Sequence, residues 1–181
     1  MLFAETWVPC KDGRQALLRS PKESDAAELL QLLRRCTGET EFLLRSPEEC
    51  DISLQQEIAF VRRLNESGDS LMLVCLVEGE MVGNCQINFY QQRKMRHRAT
   101  VGIMLQRKHW GLGLGTAMLR QLLDVAKDRG LMQVELEVIE GNERAIGLYK
   151  KLGFEMVAAK PDAICLKDGG LRKEYFMVKR L

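Results

Sequence analysis

Charge of one sign is nearly absent in excess. The 181-residue sequence sets 27 Lys and Arg against 25 Asp and Glu, a net charge of +2. That balance argues against nucleic acid or an anionic membrane as the main partner. Long apolar runs are missing too, and none approaches the length of a bilayer span. Residues Met1 to Arg14 lack a basic segment followed by an apolar one, so no secretory leader is read there. The six cysteines (Cys10, Cys36, Cys50, Cys75, Cys85 and Cys165) form no CxxC pair and have irregular gaps. This spacing points to neither a metal site nor a disulfide framework. Scattered thiols fit a reducing compartment, and a cytoplasmic protein is the expectation. No repeat, low-complexity tract or linker interrupts the chain, so residues 1–181 are expected to form one domain.

What is present suits a folded core, with 46% hydrophobic and 29% charged residues. Gln15–Arg19 reads as a first strand. Ala26–Arg35 carries Leu29, Leu32 and Leu33 at helical spacing, with Gly38 as its stop. Ser46-Pro47-Glu48-Glu49 reads as the start of a second helix reaching Ser67. Two β-rich runs within Ser70–Tyr90 flank Glu78-Gly79-Glu80 as a hairpin. A basic connector, Gln91–Arg98, leads to a strand over Ala99–Leu105. A third helix begins near Leu114 and stops at Gly130, and a strand over Gln133–Ile139 alternates apolar residues with Glu. A fourth helix follows Asn142 and ends at Gly153. Two more strands are expected near Phe154–Leu166 and Leu171–Lys179, separated by a turn at Lys167–Gly170. The order β-α-α-β-β-β-α-β-α-β-β predicts an α/β domain with a mixed sheet.

Between the strand ending at Leu105 and the third helix lies Gln106-Arg107-Lys108-His109-Trp110-Gly111-Leu112-Gly113-Leu114-Gly115-Thr116. Glycines between a strand and a helix let backbone N–H groups approach a phosphate. A P-loop needs Lys-Ser/Thr after its last glycine, and Thr116-Ala117 stands there instead. A dinucleotide fingerprint needs GxGxxG/A, and both registers fail, at Thr116 and at Met118.

A second motif decides the matter. Asn142-Glu143-Arg144-Ala145-Ile146-Gly147-Leu148-Tyr149-Lys150-Lys151-Leu152-Gly153-Phe154 follows one helix and one strand later. Together the two motifs resemble the GNAT superfamily of acetyl-CoA-dependent N-acetyltransferases. The second motif matches at every specified position. In the first, Trp110 stands where Gln or Arg is usual, which questions a side-chain contact there but not a backbone one. The resemblance runs from Leu71 to the C-terminus, with the two N-terminal helices in order. It implies a single domain with a mixed, mostly antiparallel sheet of about seven strands, splayed in the middle and flanked by about four helices.

The resemblance also implies a division of labour. Backbone groups of Ile103 and Leu105 are expected to pair with the pantetheine arm of acetyl-CoA. Trp110, Gly111, Gly113, Gly115 and Thr116 are expected around its diphosphate, with Asn142 and Ala145 as further cofactor contacts. Arg107 and Lys108 are candidates to reach a phosphate. Asn142 also reads as a helix N-cap, and Tyr149 as a packing tyrosine. Functionally, Tyr149 is the expected general acid for the departing thiolate. Candidates for the base are Glu135 and Glu137, read as exposed strand carboxylates, and His97 or bound water.

The expected activity is direct acetyl transfer to a primary amine, with no covalent cysteine intermediate and no metal. The alternative is a catalytically weak CoA-binding sensor or interaction module of the same fold. The acceptor, a small-molecule or protein amine, has no readable motif. The N-terminal helices, the 91–98 connector and the Lys167–Gly170 turn are expected to shape its site. A monomer or homodimer is expected, and a preference for another acyl-CoA stays open.

Overall fold

Hydrophobic alternation organises the chain around one sheet. The computed structural model describes all 181 residues. Its strands are β1 (Thr6–Pro9), β2 (Gln15–Arg19), β3 (Ser70–Val77), β4 (Glu80–Phe89), β5 (Arg98–Leu105), β6 (Gln133–Ile139), β7 (Glu155–Cys165) and β8 (Leu171–Arg180). They lie in the order β1-β2-β3-β4-β5-β6-β8-β7. Every neighbouring pair is antiparallel except β5–β6.

The eighth strand is β1, where about seven strands were expected. Its four residues include Pro9 and give too short an alternation to read. It sits at one edge of the sheet, where a missing N–H costs no ladder bond. The opposite edge, β7, also contains a proline, Pro161, and its register shifts between Lys160 and Ile164.

Helices cover both faces. α1 (Ala26–Glu39) and α2 (Leu54–Glu66) pack on one face, and α3 (Leu114–Asp128) and α4 (Glu143–Lys151) on the other. The partition is visible in β3. Leu71, Leu73 and Cys75 enter the larger core with α3 and α4, while Met72 and Val74 join Leu29, Leu32, Val61 and Leu64 beneath α1 and α2. Successive side chains of a strand point to opposite faces, so a central strand serves two cores.

Two helix boundaries differ from expectation. α1 runs through Gly38 rather than stopping there, since one glycine costs a helix only about 1 kcal/mol. Ser46 opens a single 3₁₀ turn over Pro47–Glu49, its N–H donating to the Glu49 carboxylate at 2.8 Å. α2 itself starts at Ser53, whose hydroxyl accepts from the Gln56 N–H at 3.2 Å. Both sites carry Ser-x-x-Glu/Gln, so the pattern alone does not say which one leads into the helix.

All six cysteines are free thiols, and only Cys165 is exposed. No helix is long and apolar enough to cross a membrane.

Candidate active site

The sheet opens where its only parallel pair gives out. β5 and β6 keep register over Arg98–Thr100 against Gln133–Glu135 and then diverge. Beyond that point, β5 keeps its antiparallel bonds to β4 as far as Leu105 opposite Gly83. Hydrogen bonds from Tyr90 N–H to Arg98 C=O and from Gln106 N–H to Val82 C=O fix the parity. Even-numbered residues of β5 bond to β4, so Val101, Ile103 and Leu105 turn their backbone groups toward the opening. An internal sheet edge is thereby left unpaired.

A cavity of about 1020 Å³ fills the opening and runs through to both faces. On the α3/α4 side it meets the glycine loop. Gly111 and Gly113 have φ of +82° and +86°, conformations that side chains rarely adopt. Gly115 has a different reason. A Cβ there would stand 3.0 Å from Leu148 and 3.6 Å from Ile103, so it permits close packing of α3 on α4. Gly113 is the N-cap of α3 and offers no side-chain cap, and the first helical bond runs from Ala117 N–H to Gly113 C=O. The N–H groups of Leu114, Gly115 and Thr116 therefore have no partner within the helix, and no acidic side chain sits in its first turn. The positive end of a fifteen-residue helix faces the cavity.

Trp110 does use its side chain. Its indole N–H donates to Leu105 C=O at 2.7 Å, and the guanidiniums of Arg107 and Arg144 stand over its ring at 5.6 and 5.0 Å. Leu105 C=O is thus engaged, while its N–H and both groups of Ile103 face the opening. Arg107 and Lys108 do not line the cavity. Arg107 donates its backbone N–H to the Glu39 carboxylate at 2.7 Å and its guanidinium to the Glu39 carbonyl, and the Lys108 ammonium bonds the Glu80 carboxylate at 2.8 and 2.9 Å.

Asn142 caps α4, its side chain accepting from the Ala145 N–H at 3.2 Å. Ala145 accordingly has no free N–H to offer, although both residues line the cavity. Tyr149 lies seven residues beyond the cap, on the buried face of α4. Its ring packs edge-on against Phe154 at 5.9 Å. Only 7% of it is exposed, it lines the cavity, and its hydroxyl has no hydrogen-bond partner in the protein. Burial pushes its phenol up to about 12.

The α1/α2 side of the cavity is built from side chains. Asn84, Gln86 and Asn88 form a polar row on β4, whose other face carries the buried Cys85, Ile87 and Phe89. Glu137 of β6 and Glu174 of β8 line the same region. They are diagonal neighbours, because Glu137 pairs with Phe176 and Ile139 with Glu174. Burial and the charge of Glu137 raise the Glu174 carboxyl above its ordinary value. Neither forms a salt bridge. The last turn of α1 and the segment Thr40–Arg45 complete the wall.

The two other base candidates lie elsewhere. Glu135 is not exposed: at 2% exposure it is buried, with Oε1 3.2 Å from Arg98 Nε, and it does not reach the cavity. Leaving the sheet's paired stretch is what separates it from Glu137, two residues along on the same face. His97 is exposed on the connector. Neither the 91–98 connector nor the Lys167–Gly170 turn lines the cavity; Lys167 instead pairs with Glu48 at 2.7 Å. Sequence reasoning missed Lys11, Glu174 and the β4 row. The alternation Asn-Cys-Gln-Ile-Asn-Phe was the one available signal, and it announces a polar strand face without saying what that face meets.

An opened sheet, a helix N-terminus aimed into it and a buried unpartnered phenol form a site with room for an elongated anionic group. Comparison with known proteins makes the class specific. The acetyltransferase (GNAT) family model matches residues 26–154. The chain belongs to that family and is an acyltransferase. It is 28% identical to the thialysine N-epsilon-acetyltransferase of Bos taurus over 166 residues, 85% of this chain and 92% of the bovine one. It is 29% identical to the L-amino acid N-acetyltransferase AaaT of Escherichia coli K12 over 119 residues, 65% of this chain and 72% of that one. The crystal structure of a GNAT-family acetyltransferase from Streptococcus pneumoniae superposes with a TM-score of 0.86 at 25% identity, covering 92% of this chain and 99% of that one.

Proposed function

We propose that the protein transfers the acetyl group of acetyl-CoA directly to a primary amine bound on the α1/α2 side of the sheet. The observation that carries this reading is the unpaired backbone edge of Ile103 and Leu105, opening into one cavity between the glycine loop and Tyr149. A pantetheine arm is a chain of amides, and it fits that edge as an added strand. Its diphosphate then falls at the free N–H groups of Leu114 to Thr116, with Gly111 and Gly113 allowing close approach. Threaded this way, the thioester comes to rest near Tyr149.

The chemistry follows from the groups available. The acceptor arrives as an ammonium and loses one proton before attack. Its nitrogen adds to the thioester carbonyl, the C–S bond breaks, and the second proton lost from nitrogen balances the thiol formed. Tyr149 donates its free O–H to the departing sulfur. A thiol titrates near 8.5, well below this phenol at about 12. Tyr149 therefore acts chiefly as a hydrogen-bond donor that stabilises the thiolate as it forms, and remains neutral at working pH. Holding amine and thioester in one cavity supplies the positioning.

Glu137 and Glu174 draw the ammonium to this side of the sheet, and Glu137, alone or through water, takes the first proton. The bovine relative is named for an ε-amine, which agrees with a cationic acceptor. The test is release of free CoA thiol from acetyl-CoA across a panel of diamines, amino acids and lysine peptides, with acetylated product identified by mass spectrometry. Thiol release with at least one amine is expected. Tight CoA binding without release across the panel would favour the sensor reading.

A further inference from the structure

We propose that Lys11 is a ligand for the cofactor diphosphate, delivered by the β1–β2 hairpin from outside the segment that the family model matches. The inference rests on the acetyl-CoA reading above and adds a residue that neither motif contains.

Three observations converge on it. First, the turn between β1 and β2 is tied to the glycine loop: Lys11 N–H donates to Leu112 C=O at 3.0 Å. Second, the lysine stem crosses the loop at its N-cap. Its Cγ and Cε stand 3.6 and 3.9 Å from where a Cβ on Gly113 would lie. Third, Lys11 lines the cavity, and its ammonium has neither a carboxylate within 4.0 Å nor a hydrogen bond in the protein. The other charges of that turn are consumed locally. Asp12 pairs with Arg14 at 2.7 Å, and Arg14 with Glu78 at 3.0 Å.

The contrast with the nearer cations sharpens the point. Arg107 and Lys108 adjoin the glycines in sequence, but the Glu39 carbonyl takes the Arg107 guanidinium, the Glu80 carboxylate takes the Lys108 ammonium, and neither residue lines the cavity. The loop thus presents aligned N–H groups with no cation of its own free to assist them. Lys11 supplies a mobile, strongly hydrated point charge at the same place, which suits a diphosphate that needs charge rather than a forked, planar partner. An exposed ammonium contributes through a screened interaction, so its effect must shrink with salt.

The experiment is calorimetric titration of the full-length wild type, K11M and K11R with CoA, 3′-dephospho-CoA and pantetheine, at low and high salt. K11M keeps the stem over Gly113 and removes only the charge. The expected result is about tenfold weaker binding of both CoA and dephospho-CoA at low salt. The gap narrows at high salt, pantetheine binding is unchanged, and K11R restores most of the loss. Wild-type affinity for CoA in K11M would overturn the proposal. So would an equal loss with pantetheine, which carries no phosphate, or a loss confined to CoA, which would move the contact to the 3′-phosphate. A wild type that binds no CoA would overturn the acetyl-CoA reading itself. A wild type that binds CoA beside an unimpaired K11M would overturn only the role of Lys11.

Discussion

The two halves of the cavity are built on different principles. On the α3/α4 side, the wall is largely backbone: an unpaired strand edge, two glycines with positive φ and the bare start of a helix. On the α1/α2 side the wall is made of side chains drawn from α1, β4, β6 and β8. Backbone recognition demands particular residues close together in sequence, because the conformation of one loop must be permitted. Side-chain recognition demands only that distant residues meet. The first half therefore leaves a readable motif, and the second leaves none.

Substitutions should separate the halves, and the largest effect is expected where they join. Tyr149→Phe should lower kcat by about a hundredfold or more, with CoA affinity kept, as read by steady-state kinetics and titration. Because burial holds that phenol near 12, the wild-type pH–rate profile should show no descending limb from Tyr149 up to about pH 10. On the backbone side, Gly113→Val forces a β-branched residue to a φ of +86°, at a cost of about 1–3 kcal/mol. The KM for acetyl-CoA should rise about tenfold or more, with the KM for the amine little changed. On the side-chain side, Glu137→Gln should give the mirror image. The amine KM should rise by about tenfold and the acetyl-CoA KM should hold. If both variants moved both constants equally, the division into halves would fail.

A smaller effect is expected from Trp110→Phe, which keeps an aromatic ring beside Arg107 and Arg144 but deletes the bond to Leu105 C=O. A loss of about 1 kcal/mol should appear as a severalfold rise in acetyl-CoA KM. The smallest concerns stability of the backbone half. His109, just before the loop, is 6% exposed, and neither ring nitrogen has a partner. Burial, aided by Lys108, lowers its pKa below the ordinary 6.5. The folded state then binds fewer protons than the unfolded state as pH falls below about 6.5, so stability is full above that value and declines as pH falls through the folded pKa. Urea unfolding should show this decline, and His109→Leu should flatten it. An unaltered slope in that variant would assign the pH dependence to other groups.

Legibility followed the same division. Asn142 as N-cap, Gly153 as a stop and the strand over Gln133–Ile139 were readable because each depends on neighbours within a few residues. β1 was not, since four residues ending in proline carry too little alternation. Nor was the start of α2, where two equivalent capping patterns compete seven residues apart. Glu135 and Glu137 look alike in sequence, two apart on one strand face. The splay of β6 from β5 buries the first against Arg98 and leaves the second in the cavity. Arg107 and Lys108 looked like phosphate ligands by adjacency, and Glu39 and Glu80, distant in sequence, claim them.

The sequence by itself determined the family, the place of the glycine loop and the tyrosine on the fourth helix. These are local requirements: φ values that only glycine meets readily, an unpaired helix start, and a residue spaced from its N-cap by whole turns. Tertiary structure alone decided which charges remain free. Ion pairing is settled by distance in space, and a carboxylate contributed from another element neutralises a cation without leaving a mark on the cation's own stretch of chain. That is why the unpaired carboxylates Glu137 and Glu174, and an uncommitted lysine from an edge hairpin, become visible only once the sheet is assembled and opened.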